Sequence, residues 1–370
     1  MRPNEHSRAY LHSLDGWRAI AVVAVVLDHV HSFGPLVIQH HLQRSGVSGV
    51  WLFFAISGLL ICSRMLDEES AYGQASLRNF YVRRAFRILP AALAYLLVVA
   101  LLGALHVIPF NLSSWLAALL FYRNYWHYFF GATALSGFTG HFWSLSVEEH
   151  FYFLLPSIVV FLPRFRRNAL LLLTFVSWGW LAIFLLVPSG KILHPFWEQR
   201  TEFCISALLV PAIYAMSLRS AVTRDRAIRF LSPWLLCMVA AVITFYDHEG
   251  TASHYFRIVL GKAIFFPLLL LSTVLHPKSL ITRFLETAPL RFVGRISYSL
   301  YLWQVLFLTR NFAYPGAIHH LQRSNIVAVA CSFVCAVASY YLIEMPMIRF
   351  GRRFVVARQP ALAREQHQPT

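Results

Sequence analysis

Ten stretches of this chain are apolar over about 17 to 22 residues, the length an α-helix needs to cross a hydrocarbon core about 30 Å thick. They fall near residues 15–34, 47–63, 88–108, 143–162, 168–187, 201–218, 231–247, 255–275, 295–311 and 325–343. Lipid offers no hydrogen-bond partner to a peptide group, so runs of this length must fold as helices that satisfy their own backbone. The expectation is an all-α polytopic membrane protein of about ten spans. Composition agrees: 58% of the 370 residues are hydrophobic and only 13% charged, against roughly half and a quarter in soluble domains. No long polar block follows the last run, so residues 1–346 are predicted to form one membrane domain and residues 347–370 a short polar tail, with no appended soluble domain.

The formal net charge of +16 does not point to nucleic acid, because the basic residues are dispersed through the short loops instead of forming one tract. Topology accounts for them. With the N-terminus cytoplasmic, 23 Lys and Arg residues fall on the cytoplasmic side and 7 on the outer side, the asymmetry expected of the positive-inside rule. Both termini are therefore expected in the cytoplasm of a cell whose plasma membrane, the inner membrane of a bacterium, holds the chain. The first run follows a basic head as a signal peptide would, yet Asp28 and His29 interrupt its apolar core and no small-residue cleavage site follows, so it is expected to be retained. The five cysteines lie in or beside apolar runs at no metal-like spacing, and no metal site is predicted. The aromatic segment from Asn111 to His141 reads as an interfacial or re-entrant piece at the outer surface, since counting it as a span would put the following arginine loops on the wrong side.

Ionisable groups at membrane depth cost about 2.5 kcal/mol or more each on insertion scales, so their presence argues for a task. They occur twice: Asp28 and His29 in the first run, and Glu148, Glu149 and His150 in the run that opens with Trp143 and Ser144. Arg18 and His29 are eleven residues apart, about three turns and about 16 Å along one helix, so both point to the same face. His29 and Glu148 each lie about five residues below the outer end of their spans, which gives them a common depth. A carboxylate bonded to one imidazole nitrogen fixes the tautomer and raises the basicity of the other, as a general base acting on a hydroxyl requires. The plainer readings are a helix-packing histidine, a helix-end arginine and a structural ion pair. On the cytoplasmic side Arg83, Arg84 and Arg87 cluster by i,i+3 and i,i+4 spacing at the head of the third span. Such a guanidinium patch suits phosphate, or else serves topology and lipid headgroups.

Several motifs in order resemble the acyltransferase family 3 of integral membrane O-acyltransferases. They are Leu14-Asp15-Gly16-Trp17-Arg18 with His29 beyond it, Phe53-Phe54-Ala55-Ile56-Ser57-Gly58-Leu59, the Arg83/Arg84/Arg87 block, His141-x-Trp143-Ser144-Leu145-Ser146-Val147-Glu148-Glu149, and Gly294-Arg295-Ile296-Ser297-Tyr298 running to Tyr301 and Trp303. The match runs from about Leu14 to Pro346. The resemblance implies transfer of an acyl group, most often acetyl, from cytoplasmic acyl-CoA as co-substrate to a hydroxyl of a carbohydrate or lipid-linked glycan at the outer face, with no bound cofactor. It maps the family's arginine-to-histidine motif onto Arg18 and His29, its arginine block onto Arg83, Arg84 and Arg87, and its tryptophan-serine-leucine-glutamate motif onto Trp143, Ser144, Leu145 and Glu148. The chain departs from it at Gln304, where relatives often have histidine, and at His150, where they often have glutamine.

The reading from sequence is thus an O-acyltransferase in which His29 is the base, Glu148 orients it, and Arg18, Arg83, Arg84 and Arg87 hold acyl-CoA. Trp143, Ser144, Glu149, Ser297, Tyr301 and Trp303 are candidates for the acceptor or oxyanion site. Expected partners are acyl-CoA, the glycan and membrane lipids. The rival is a transporter or flippase for a glycolipid or sugar, which would also bury His and Glu in its spans; it would not consume a thioester.

Overall fold

The computed structural model describes residues 3–30, 45–131, 137–186, 196–246, 252–309 and 324–356, and all the regular structure among them is helical. The long elements are α1 (Pro3–His29), α2 (Ser45–Tyr72) and α3 (Leu77–Ala104). Two short helices follow, α4 (Leu112–Leu119) and α5 (Trp126–Phe130), then α6 (Phe142–Phe161) and α7 (Arg166–Leu186). The span predicted at 201–218 is divided into α8 (Thr201–Cys204) and α9 (Ser206–Ser217), after which come α10 (Ala221–Phe230), α11 (Pro233–Phe245) and α12 (Ala252–Leu275). The chain closes with α13 (Leu280–Leu285), α14 (Ala288–Leu308), α15 (Asn325–Ser339), a π-helical turn (Tyr340–Glu344) and α16 (Met345–Gly351). Side-chain oxygens of Ser76, Asn111, Ser232, Ser279 and Ser324 each accept the third backbone N–H of the helix they precede. They supply partners for donors that a helix start leaves unpaired.

Each of the ten predicted spans overlies a helix. Five helical stretches are long and apolar enough to cross a membrane by length and composition alone: Ser45–Tyr72, Leu77–Ala104, Arg166–Leu186, Ser253–Leu275 and Asn325–Phe354. A sixth is reached if α9 and α10, which meet at 113°, count as one broken span. Three other long helices, α1, α6 and α14, stand outside that set. These three carry His29, Glu148 and Tyr301, so the helices that look least like lipid-facing spans are those with polar work inside the bundle. Boundaries also shift: α1 begins at Pro3, well before the expected residue 15, and residues 31–34 of that run, with His40 and His41, lie outside the described residues.

The bundle is organised around α2, whose apolar window is 78% buried against 22% for the stretch starting at Asn325. Helices α1 and α14 pack along each other, and α2 is held between α1 and α9. Two glycines permit the close approaches. A Cβ at Gly58 would collide with the Leu208 carbonyl of α9, and one at Gly294 with the Asp15 carbonyl of α1. The segment expected at the interface packs beside α6, where the Arg123 backbone N–H donates to Ser146 Oγ at 3.2 Å and Trp126 is fully buried.

Candidate active site

Helical periodicity brings one face of each of four helices to a common column. On α1 the face runs from Arg18 through Val25 to His29, and on α6 from His141 through Ser144 and Glu148 to Tyr152, at steps of three and four residues. α14 contributes Ser297, Tyr301 and, one turn further, Gln304; α2 contributes Ser57. Among these side chains Arg18, Ser57, Ser144, Glu148, Tyr152, Ser297 and Tyr301 line a cavity of about 90 Å³; His29, His141 and Gln304 stand outside its lining, with the His141 ring against Tyr301 and His29 within electrostatic reach of His141.

Arginines gather at one end of the cavity. Arg18, Arg84 and Arg87 all line it. Arg18 Nη1 is paired with Asp15 Oδ1 at 2.8 Å and lies within electrostatic reach of both other arginines. The Arg84 guanidinium sits 4.4 Å from the Tyr152 ring centre and donates to its hydroxyl at 3.4 Å. Glu344 faces the same end: it is 3% exposed, accepts from Ser299 Oγ at 3.1 Å and is within electrostatic reach of Arg87 and Arg18. The π-helical turn, a feature frequent at functional sites, carries it there. Arg83 is elsewhere. Its Nη2 pairs with Glu68 Oε2 at 3.1 Å with its side chain 45% exposed, so the three-arginine block splits into two residues in the cavity and one on the surface. On a helix residues 83 and 84 point about 100° apart with 87 between them, so Arg84 and Arg87 can face the cavity while Arg83 turns to the surface.

Midway, Glu148 is engaged differently from the sequence expectation. Its two oxygens accept from Ser57 Oγ and Tyr152 OH, each at 2.8 Å. His29 is not its partner: Nδ1 of His29 lies 2.8 Å from the carbonyl of Val25, one turn back on its own helix. A carbonyl can only accept, so Nδ1 carries the proton and Nε2 holds the basic lone pair. The tautomer expected from a carboxylate is set by backbone instead. Glu149 lies off the cavity, within electrostatic reach of Glu148 and Arg84.

Above Glu148 a hydroxyl pair closes the column. Ser144 Oγ and Tyr301 OH are 2.6 Å apart, and both hydroxyls also reach the His141 carbonyl, at 3.3 and 2.9 Å, so one carbonyl and two hydroxyls share their protons. Ser297 lines the cavity one turn nearer the arginines. Trp143 and Trp303 do not reach it: Trp143 stands edge-on to Phe54 and Trp303 edge-on to Tyr95, with ring centres 6.1 and 5.5 Å apart. His150 Nδ1 bonds Thr201 Oγ1 at 2.6 Å, a structural tie between α6 and α8. Gln304 is fully buried, and neither amide atom has a partner among the described residues.

Sequence reasoning missed Ser57, Arg64, Tyr152 and Tyr298, all on the cavity wall. Tyr152 was legible in principle, because it sits four residues after Glu148 on one helix face. Ser57 was not, since only the packing of α2 on α6 sets it beside Glu148. Among the described residues no group of three or more His, Cys, Asp or Glu side chains could hold a metal ion.

Within an apolar helical bundle, arginines, a carboxylate and hydroxyls thus line one cavity, and two imidazoles stand beyond its Tyr301 end. The chain matches the acyltransferase domain family over residues 11–345 and belongs to it. It is similar to a peptidoglycan O-acetyltransferase OatA of Listeria monocytogenes, 26% identical over 372 residues that cover 95% of this chain and 58% of the relative. It is also similar to an O-acetyltransferase OatA of Staphylococcus aureus, 27% identical over 94% of this chain and 58% of that protein. A putative O-acetyltransferase of Staphylococcus aureus is 26% identical over 92% of the chain and 58% of its own length. The chain thus spans somewhat under two thirds of the curated relatives it matches. No solved structure matches it significantly.

Proposed function

We propose that this chain is a membrane O-acetyltransferase that moves an acetyl group from acetyl-CoA, bound at the Arg18, Arg84 and Arg87 end, to a glycan hydroxyl presented at the His29 end. The observation that carries the reading is the cavity lined by Arg18, Arg84, Arg87, Glu148, Ser144 and Tyr301, with His141 and His29 next beyond Tyr301, in a chain that belongs to an acyltransferase family. The Listeria relative's name gives peptidoglycan as its acceptor, which supports a cell-surface carbohydrate here. The chemistry would run as follows. Nε2 of His29 removes the acceptor proton, the alkoxide attacks the thioester carbonyl, and the tetrahedral oxyanion collapses to the acetyl ester with the thiolate of coenzyme A leaving. The oxyanion needs a donor in place before it forms; the Ser144 and Tyr301 hydroxyls at the head of the cavity supply the nearest ones. Glu148 acts as a positioning residue, holding the Ser57 and Tyr152 hydroxyls and, through Tyr152, the Arg84 stack.

In this reading the ten helical runs cross a bacterial plasma membrane with both termini cytoplasmic, as the distribution of arginine and lysine favours. The arginines then face the compartment that holds acyl-CoA, and the imidazoles face the outside. Reconstituting the chain in vesicles with labelled acetyl-CoA on the arginine side tests it: glycan on the opposite side should gain the acetyl mass while free coenzyme A accumulates. Glycan crossing the bilayer with no thioester consumed would make the chain a transporter.

A further inference from the structure

Arg123 is a charge the acetyl-transfer reading leaves unused. It was counted from sequence as one of the few basic residues of the outer segments, yet the fold buries it to 1% exposure beside α6. None of its three guanidinium nitrogens has a hydrogen-bond partner among the described residues. Its one close neighbour of note is the Trp126 ring, whose centre lies 4.5 Å from Cζ. A cation–π contact offsets only part of the loss of water around a buried guanidinium. His141 completes the setting: it is 6% exposed, neither ring nitrogen is bonded among the described residues, and it lies within electrostatic reach of both His29 and Arg123. Its ring rests edge-on against Tyr95 and Tyr301, at 5.1 and 5.6 Å. Two buried donors without hydrogen-bond partners among the described residues therefore lie in sequence from the base, His141 next to His29 and Arg123 next to His141, and both are of the kind that recognises oxyanions; the planar guanidinium fork in particular matches a carboxylate or phosphoryl group.

We infer that Arg123 and His141 form an anion subsite, so that the acceptor is a saccharide bearing a carboxylate or phosphoryl group, gripped here while its hydroxyl meets His29. The placement of the hydroxyl rests on the acetyl-transfer reading; the binding of the anion does not. His141 donates one ring N–H to the oxyanion, and Arg123 donates two.

The test is equilibrium binding to the purified full chain in detergent, without donor, followed by calorimetry. Three probes are compared: N-acetylglucosamine, the same sugar carrying a 3-O-lactyl carboxylate, and the same sugar carrying a 1-phosphate. Wild type should bind one anionic form about 10- to 100-fold more tightly than the neutral sugar, the scale of a charge-assisted hydrogen bond, and the preferred form names the group. Arg123→Ala should reduce that preference to within about threefold, and Arg123→Lys, which keeps the charge and loses the fork, should retain part of it. Acetyl-CoA binding should be unchanged in both. Equal affinity of wild type for neutral and anionic sugars overturns the inference without any variant, as does a preference that survives Arg123→Ala. Acetyl transfer assayed on the same three sugars separates the two readings. Binding preference without transfer to any sugar sinks the acetyltransferase alone; transfer without preference sinks the anion subsite alone.

Discussion

At the arginine end of the column the charges are matched: Arg18 is paired with Asp15, Arg84 rests on Tyr152, and Glu344 faces Arg87. At the histidine end they are not. The ring nitrogens of His141, the guanidinium of Arg123 and the amide of Gln304 are buried without hydrogen-bond partners among the described residues, although an unsatisfied buried polar group costs about 1–3 kcal/mol. The difference teaches that the two ends bind in different ways. A matched end can receive a phosphorylated ligand by exchanging partners, whereas an unmatched end is completed by its ligand and discriminates sharply between ligands that supply acceptors and those that do not.

The largest expected effect falls on the base. His29→Ala should lower acetyl transfer by about 10²–10⁴-fold, the usual loss of a general base, with acetyl-CoA binding intact; activity within a few-fold of wild type would return His29 to helix packing. Next come the cavity arginines. Arg84→Ala and Arg87→Ala should each weaken acetyl-CoA binding by about 1.5–3 kcal/mol, leaving acceptor affinity alone, and a larger change in acceptor KM than in donor KM would erase the proposed division between the two ends. Tyr301→Phe removes the hydroxyl bonded to Ser144 and to the His141 carbonyl, so a drop in stability of about 1 kcal/mol, read from thermal unfolding in detergent, should accompany slower transfer; an unchanged rate would take the hydroxyl pair out of oxyanion binding. The smallest effect is expected at Arg83. It is exposed and paired with Glu68, so Arg83→Ala should change donor binding by less than about 1 kcal/mol; a loss equal to that of Arg84→Ala would restore the three-arginine block as one binding unit.

Periodicity was enough to foresee much of this arrangement. The apolar runs gave helices in the right places, and the eleven-residue spacing put Arg18 and His29 on one face because three turns of a helix nearly close on eleven residues. What depended on packing between distant segments was hidden. Glu148 and Ser57 are 91 residues apart in the chain, so equal depth suggested His29 as the partner, but depth says nothing of direction around the bundle axis. The Val25 carbonyl was overlooked because backbone atoms carry no sequence signature. Arg123 looked like a loop charge, since only the packing of its segment against α6 takes it out of water. The boundary of α2 was legible only in part: hydropathy ends near residue 63 while the helix continues to Tyr72, its polar end carrying the Asp67, Glu68 and Glu69 partners of Arg219, Arg83 and Arg166.

The π-helical turn at Tyr340–Glu344 is one residue wider than an α-helical turn, which makes it a count that the sequence must keep. Winding the same residues as an ordinary α-helix would rotate everything after the turn by about 100°. Glu344 would swing away from Arg87. Phe350 and Phe354, which clasp Phe86 at ring distances of 5.8 and 5.4 Å, would lose their grip on α3. The wide winding of this turn therefore sets how every later residue is rotated about the helix axis, and so which of them meet α3.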